Sequence, residues 1–203
     1  MIQQLLQLPG REIYWLEGTA PAVYFLVDSE AGGVLINAPG HTPTLARALR
    51  ELRRIDYVFL PSRFGAHDLP AWRAEGAEIL AYGPECAAIG AQVDIALDHK
   101  RKLTRTISFL PLAGRTVGTC ALWLKNLPGA IFFGPALQPG EDGWPGLVPQ
   151  PDDYSYESRL FGALGLKDLR YEYAFTDEFI PGTTPIGPGA DRAIVRGLEA
   201  FFA

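Results

Sequence analysis

The chain has 203 residues, 48% of them hydrophobic and 20% charged, and a net charge of −5. That length supports one domain with a substantial core. The composition excludes a disordered chain, and the acidic balance excludes the basic footprint of a nucleic-acid binder. Glycine (22) and proline (17) together exceed their usual combined share of roughly 12%, which predicts many turns and at least one long irregular loop.

The first six residues lack the basic start and apolar core of a secretion signal, and no apolar run approaches the roughly 20 residues that span a bilayer. Short strands are predicted over residues 13–17, 22–28 and 33–37, with turn signals at Gly18 and Ala31-Gly32-Gly33. Thr42 reads as an N-cap with Pro43 at the first helical position. Leu45, Ala48, Leu49 and Leu52 then recur at helical spacing, predicting an amphipathic helix over 43–54. Tyr57-Val58-Phe59-Leu60 has the character of a buried strand. Asp68 is expected to cap a helix reaching Ala74, with a strand over 78–82 after it.

In the second half, strands are predicted over 107–110, 119–125 and 130–133. Residues 134–153, punctuated by Pro135, Pro139, Gly140, Gly143, Pro145, Gly146, Pro149 and Pro151, read as loop. A helix over 156–164, a strand over 171–175 and a closing helix over 191–202 follow. The last would bury Ala193, Ile194, Gly197, Leu198 and Phe201 on one face. Cys86 and Cys120 are too far apart for a CxxC motif and are expected to be reduced, buried small hydrophobes in a cytoplasmic protein. No linker or low-complexity tract interrupts the chain, so residues 1–203 read as a single α/β domain of two packed sheets with helices outside.

Five stretches carry a resemblance. Val34-Leu35-Ile36-Asn37-Ala38-Pro39-Gly40 is similar to an early strand ending in Asp and then Gly. Residues 57–67 fall where a T-H-x-H-x-D-H motif follows a buried strand. Leu112-Ala113-Gly114-Arg115-Thr116-Val117-Gly118-Thr119 is similar to a P-G-H-T-P-G-S turn. Ile131-Phe132-Phe133-Gly134-Pro135 resembles an apolar strand ending in Gly-Asp, and Pro181-Gly182-Thr183-Thr184 a late P-G-H-G turn. In this order the stretches resemble the metallo-β-lactamase superfamily. The resemblance implies a four-layer αββα sandwich, an α/β (α+β) fold, with two clustered metal ions that deprotonate a bridging water.

Carried over position by position, the ligands are almost all replaced. The two leading histidines become Ser62 and Phe64, the carboxylate becomes Ala66, and only the last histidine of that motif survives, as His67. The later ligands become Arg115, Pro135 and Thr183. Phenylalanine, alanine and proline offer no side-chain ligand, and arginine is a permanent cation that repels Zn²⁺. The resemblance therefore implies a degenerate member: no metal, no cofactor, and a vestigial pocket of Ser62, Arg63, His67, Arg115 and Thr183 that takes a small anion. Arg115 would replace the charge of the metals. His41 and His99 show no spacing that converges with His67, and Asp142, Asp152 and Asp153 read as solvated loop acids. The expectation is a non-catalytic binding or scaffold protein with a small-anion or protein partner. The alternative is a hydrolase with a displaced, mononuclear or metal-free site using His67 and Asp68. No G-x-S-x-G, Walker or dinucleotide fingerprint points to another class.

Overall fold

The structure, a computed structural model, describes residues 1–202, with side chains through residue 200. The chain forms two compact units, residues 1–98 and 99–203. The first unit carries a seven-stranded sheet in chain order. It contains β1 (Ile2–Leu8), β2 (Arg11–Leu16), β3 (Val23–Asp28), β4 (Gly32–Ile36), β5 (Ile55–Leu60), β6 (Glu78–Tyr82) and β7 (Ile95–Leu97). β1 to β4 form an antiparallel meander, and β4 to β7 are parallel.

The change of direction follows from the connections. Tight turns join β1 to β4, and parallel pairing needs the longer crossovers that follow. The first crossover is α1 (Pro43–Leu52). As expected, Thr42 caps it: the Thr42 hydroxyl accepts from the Leu45 N–H at 3.1 Å, and Pro43 opens the first turn. Ala46 and Leu49 of α1 and Leu69 and Trp72 of α2 (Leu69–Ala74) are buried in one apolar cluster with Phe25, Leu35, Val58 and Ile79 of the sheet. The Trp72 indole also donates to the Pro39 carbonyl at 2.8 Å, which ties α2 to the segment leaving β4. After β6 comes α3 (Cys86–Ile89), one turn long. β1 and β7 were not predicted. β1 (Ile-Gln-Gln-Leu-Leu-Gln-Leu) has no strict alternation and buries only Leu8 fully, and β7 is three residues long.

The second unit carries a four-stranded sheet ordered β13-β10-β9-β8, built from β8 (Ile107–Pro111), β9 (Cys120–Leu124), β10 (Ala130–Gly134) and β13 (Tyr173–Thr176). The 134–153 stretch is not wholly irregular, because β11 (Gln138–Pro139) and β12 (Pro145–Gly146) pair as a short antiparallel ribbon. α4 (Tyr156–Leu164) and α5 (Ala190–Phe202) complete the unit. Their buried residues Ala163, Ile194 and Leu198 share a cluster with Ile131, Phe133, Leu147 and Tyr171, against which Trp144 also packs. On α5 the expected apolar face holds for Ala193, Ile194 and Leu198. Gly197 is exposed instead, and the Phe201 side chain lies outside the described residues. Cys120 is buried and Cys86 half-buried, both free, and burial pushes both thiols up from their ordinary pKa. Among the described residues no helix is long and apolar enough to cross a membrane.

Candidate functional site

The segment leaving β5, Pro61 to Asp68, is locked by its own backbone. Ser62 is fully buried, and its Oγ accepts from the Phe64 N–H at 3.2 Å, capping a single 3-10 turn over Arg63–Gly65. The Arg63 N–H donates to Glu85 Oε1 at 2.9 Å, and the Arg63 guanidinium lies 3.6 Å from the same carboxylate and 5.3 Å from the centre of the Phe64 ring. Glu85 is fully buried, whereas the Arg63 side chain is 40% exposed. The Gly65 carbonyl accepts from Ala38 N–H at 2.7 Å, and a Cβ on Gly65 would fall 2.0 Å from Asn37 Oδ1, so only glycine permits this approach.

His67 and Asp68 are exposed and line a cavity of about 330 Å³ together with Thr19, Ala38, Pro39 and Gly40. Asp68 does not cap α2 as expected. It sits in the left-handed region, φ +47°, with no side-chain bond into the helix. Its Oδ2 instead accepts from His41 N–H at 2.8 Å, joining the segments after β4 and β5. The helix start needs no such cap because Pro70 has no N–H to satisfy there. His41 is held elsewhere: Nε2 lies 3.0 Å from Glu75 Oε1, and its ring meets the Trp72 indole edge-on.

In the second unit the turn from β8 to β9 closes on itself. The buried Thr116 and Thr119 hydroxyls lie 2.8 Å apart, Thr116 N–H donates to Thr119 Oγ1, and Leu112 N–H donates to the Thr119 carbonyl. At the tip Gly114, φ +130°, brings its backbone so close to the start of α4 that a Cβ would meet Arg159 Cγ and the Ser155 carbonyl at 2.5 Å. Arg115 next to it is not left without a counter-charge. Its guanidinium lies 3.0 Å from Asp152 Oδ1 and 3.7 Å from Asp153 Oδ1, and it donates to Asp152 Oδ2 at 3.1 Å and to the Asp152 carbonyl at 3.3 Å.

Asp153 is itself buried and accepts from Arg159 at 2.7 Å. Arg159, 1% exposed, also donates to the Val148 and Ala136 carbonyls. The reading of Asp153 as a solvated loop acid is therefore corrected, whereas Asp152 is solvated as expected, 66% exposed, and also pairs with Arg115. They are the partners that a half-buried and a buried guanidinium require, because an uncompensated buried charge costs several kcal/mol. Asp142 does remain exposed, accepting from the Trp144 N–H. Nothing in the spacing signals this cluster, since Asp152 lies 37 residues from Arg115. Glu85, Asp153 and Arg159 are the site-shaping residues that sequence reasoning missed.

Thr183 is exposed on the turn after β13. It lines a cavity of about 310 Å³ with Glu178, Ile180 and Glu141, to which Arg115 does not contribute. Pro135, which follows β10, is buried. Of the expected pocket residues, Ser62, Arg63 and His67 share one loop of the first unit, and Arg115 and Thr183 stand on separate turns of the second. Among the described residues no group of three or more His, Cys, Asp or Glu side chains could hold a metal ion. The residues present do not fit a dinuclear centre.

By sequence the chain matches no protein-family model and no curated protein. By structure it has the metallo-β-lactamase fold. It is similar over 98% of its length to a subclass B3 metallo-β-lactamase of Bradyrhizobium japonicum, with 14% identity, 92% of that chain covered and a TM-score of 0.69. The metallo-β-lactamase from Pontibacter korlensis matches 98% of this chain over 99% of its own, at 14% identity and a TM-score of 0.70. A metallo-β-lactamase from Cronobacter sakazakii matches at the same identity and TM-score, over 98% of this chain and 93% of that one. At such identities the likeness establishes the mixed α/β fold with its several sheets.

Proposed function

We propose that this protein is a metallo-β-lactamase-like pseudohydrolase, one domain of 203 residues that binds a small anion or a protein partner instead of catalysing metal-dependent hydrolysis. The observation that carries the reading is the donor set: where the fold's resemblance calls for ligands, the chain has Ser62, Phe64, Ala66, Arg115, Pro135 and Thr183, with no metal-competent cluster among the described residues. The neighbouring groups support it. Ser62 is consumed in a turn and Arg115 in an ion cluster, so neither has a side chain free to take part in turnover. Arg63, His67 and Thr183 are the exposed members of the set and the ones open to a ligand. Two free cysteines fit a reducing, cytoplasmic setting.

The reading predicts no turnover of β-lactam, thioester or phosphodiester substrates above background, with or without added Zn²⁺. Zinc-dependent turnover abolished by His67→Ala would overturn it. Such a result would establish the alternative, a displaced mononuclear site, for which exposed His67 and Asp68 at one small cavity are the supporting observation.

A further inference from the structure

A cavity of about 730 Å³ in the second unit lies beside α5, with Trp144 of the 134–153 stretch in its wall. Four basic residues, Lys167, Arg170, Arg192 and Arg196, line it together with Trp144. Its two acids are already engaged: Asp191 is buried and accepts from the Arg192 backbone N–H at 2.7 Å, and Glu199 lies 3.8 Å from Lys167. Among the described residues no carboxylate lies within ion-pair distance of Arg170, Arg192 or Arg196. Arg170 donates only to the Leu169 carbonyl, at 3.4 Å.

Arg192 and Arg196 are four residues apart on α5, hence on one face, where like charges repel. In a chain of net charge −5 this concentration of cations is not a general property of the surface. Guanidinium forks match phosphate oxygens two at a time and are the group best suited to them. An indole beside them supplies a flat apolar wall on which a ring can stack. The cavity volume falls within the roughly 300–1,000 Å³ usual for small-molecule sites. The α5 N-terminus does not provide the site, because the Gly189 and Ala190 N–H groups are already bonded to Glu172.

We propose that this cavity binds a phosphorylated small molecule carrying a flat ring, of the nucleoside diphosphate class, with Arg170, Arg192 and Arg196 on the phosphates and Trp144 against the ring. None of the vestigial ligand positions lines this cavity, and the proposal holds whether or not the protein is a pseudohydrolase.

Calorimetric titration of the full chain with ADP, pyrophosphate and adenosine tests it. Saturable ADP binding is expected, with adenosine and pyrophosphate each at least tenfold weaker. The double variant Arg192→Gln/Arg196→Gln should lose at least tenfold in ADP affinity with an unchanged circular dichroism spectrum, and Arg170→Gln should also weaken binding. His67→Ala should bind ADP as the wild type does. No saturable binding of ADP, or equal affinity in the double variant, overturns the site. Pyrophosphate binding as tightly as ADP, with Trp144→Ala indifferent, overturns the ring assignment.

Discussion

Asn37 stands where the resemblance carries an aspartate. It is fully buried at φ +64°, and its Nδ2 donates to the Ala22 carbonyl at 2.9 Å. Asparagine tolerates the left-handed region and supplies the donor this carbonyl needs. A carboxylate would set two acceptors against each other without solvent. Asn37→Asp should therefore cost about 2 kcal/mol in urea denaturation at pH 7, and an unchanged midpoint would contradict that account of the position. Asp94 has the opposite role. Hydrogen bonds from Arg73 hold its carboxyl below the usual carboxylate range, partly offset by burial and reinforced by the Ile79 N–H, the Arg73 charge and Gln92. A depressed folded-state pKa contributes stability above the unfolded value of about 4, lost as pH falls through the lower folded value. Asp94→Asn should lower the melting temperature at pH 7, and the gap to wild type should close under acid. A gap that stays constant down to pH 2 would exclude this linkage.

At the scale of elements, patterns local in sequence were legible and those assembled at a distance were not. α1 was predicted with its cap because Thr42-Pro43 and the Leu45/Leu49 spacing lie within ten residues. Thr42→Ala should cost about 1 kcal/mol, and a loss below a few tenths would show that Pro43 and packing alone hold the helix start. Asp68 misled because an acidic residue before a helix usually caps it, whereas here the more distant His41 N–H takes the carboxylate. The prolines and glycines of the long 134–153 stretch mark it as loop. What orders it is Arg159 of α4, which binds Asp153 and the Val148 and Ala136 carbonyls from beneath. Arg159→Met should leave Asp153 with only the Gln150 N–H at 3.1 Å and the 3.7 Å contact to Arg115, and should take this donor from both carbonyls. A loss of about 3 kcal/mol is expected, with earlier proteolysis inside 134–153. A variant as stable and protease-resistant as wild type would refute the clamp.

For the whole molecule, the fold was readable because five turn and strand signatures keep their order along the chain, and backbone requirements survive when side-chain chemistry does not. Gly65 and Gly114 are examples: each sits where a Cβ would collide, and each lies within a stretch that carries the resemblance. The site was readable only as a loss of ligands. The ion cluster that occupies Arg115 depends on acids brought from far along the chain, and no local pattern announces it. The proposed function holds that the metallo-β-lactamase fold persists here without its metal chemistry. Elemental analysis of untagged protein, loaded with excess Zn²⁺ and then dialysed, tests that claim most directly. The account predicts zinc, iron and manganese each far below one per chain. Zinc retained near one or two per chain, and reduced by His67→Ala, would contradict it.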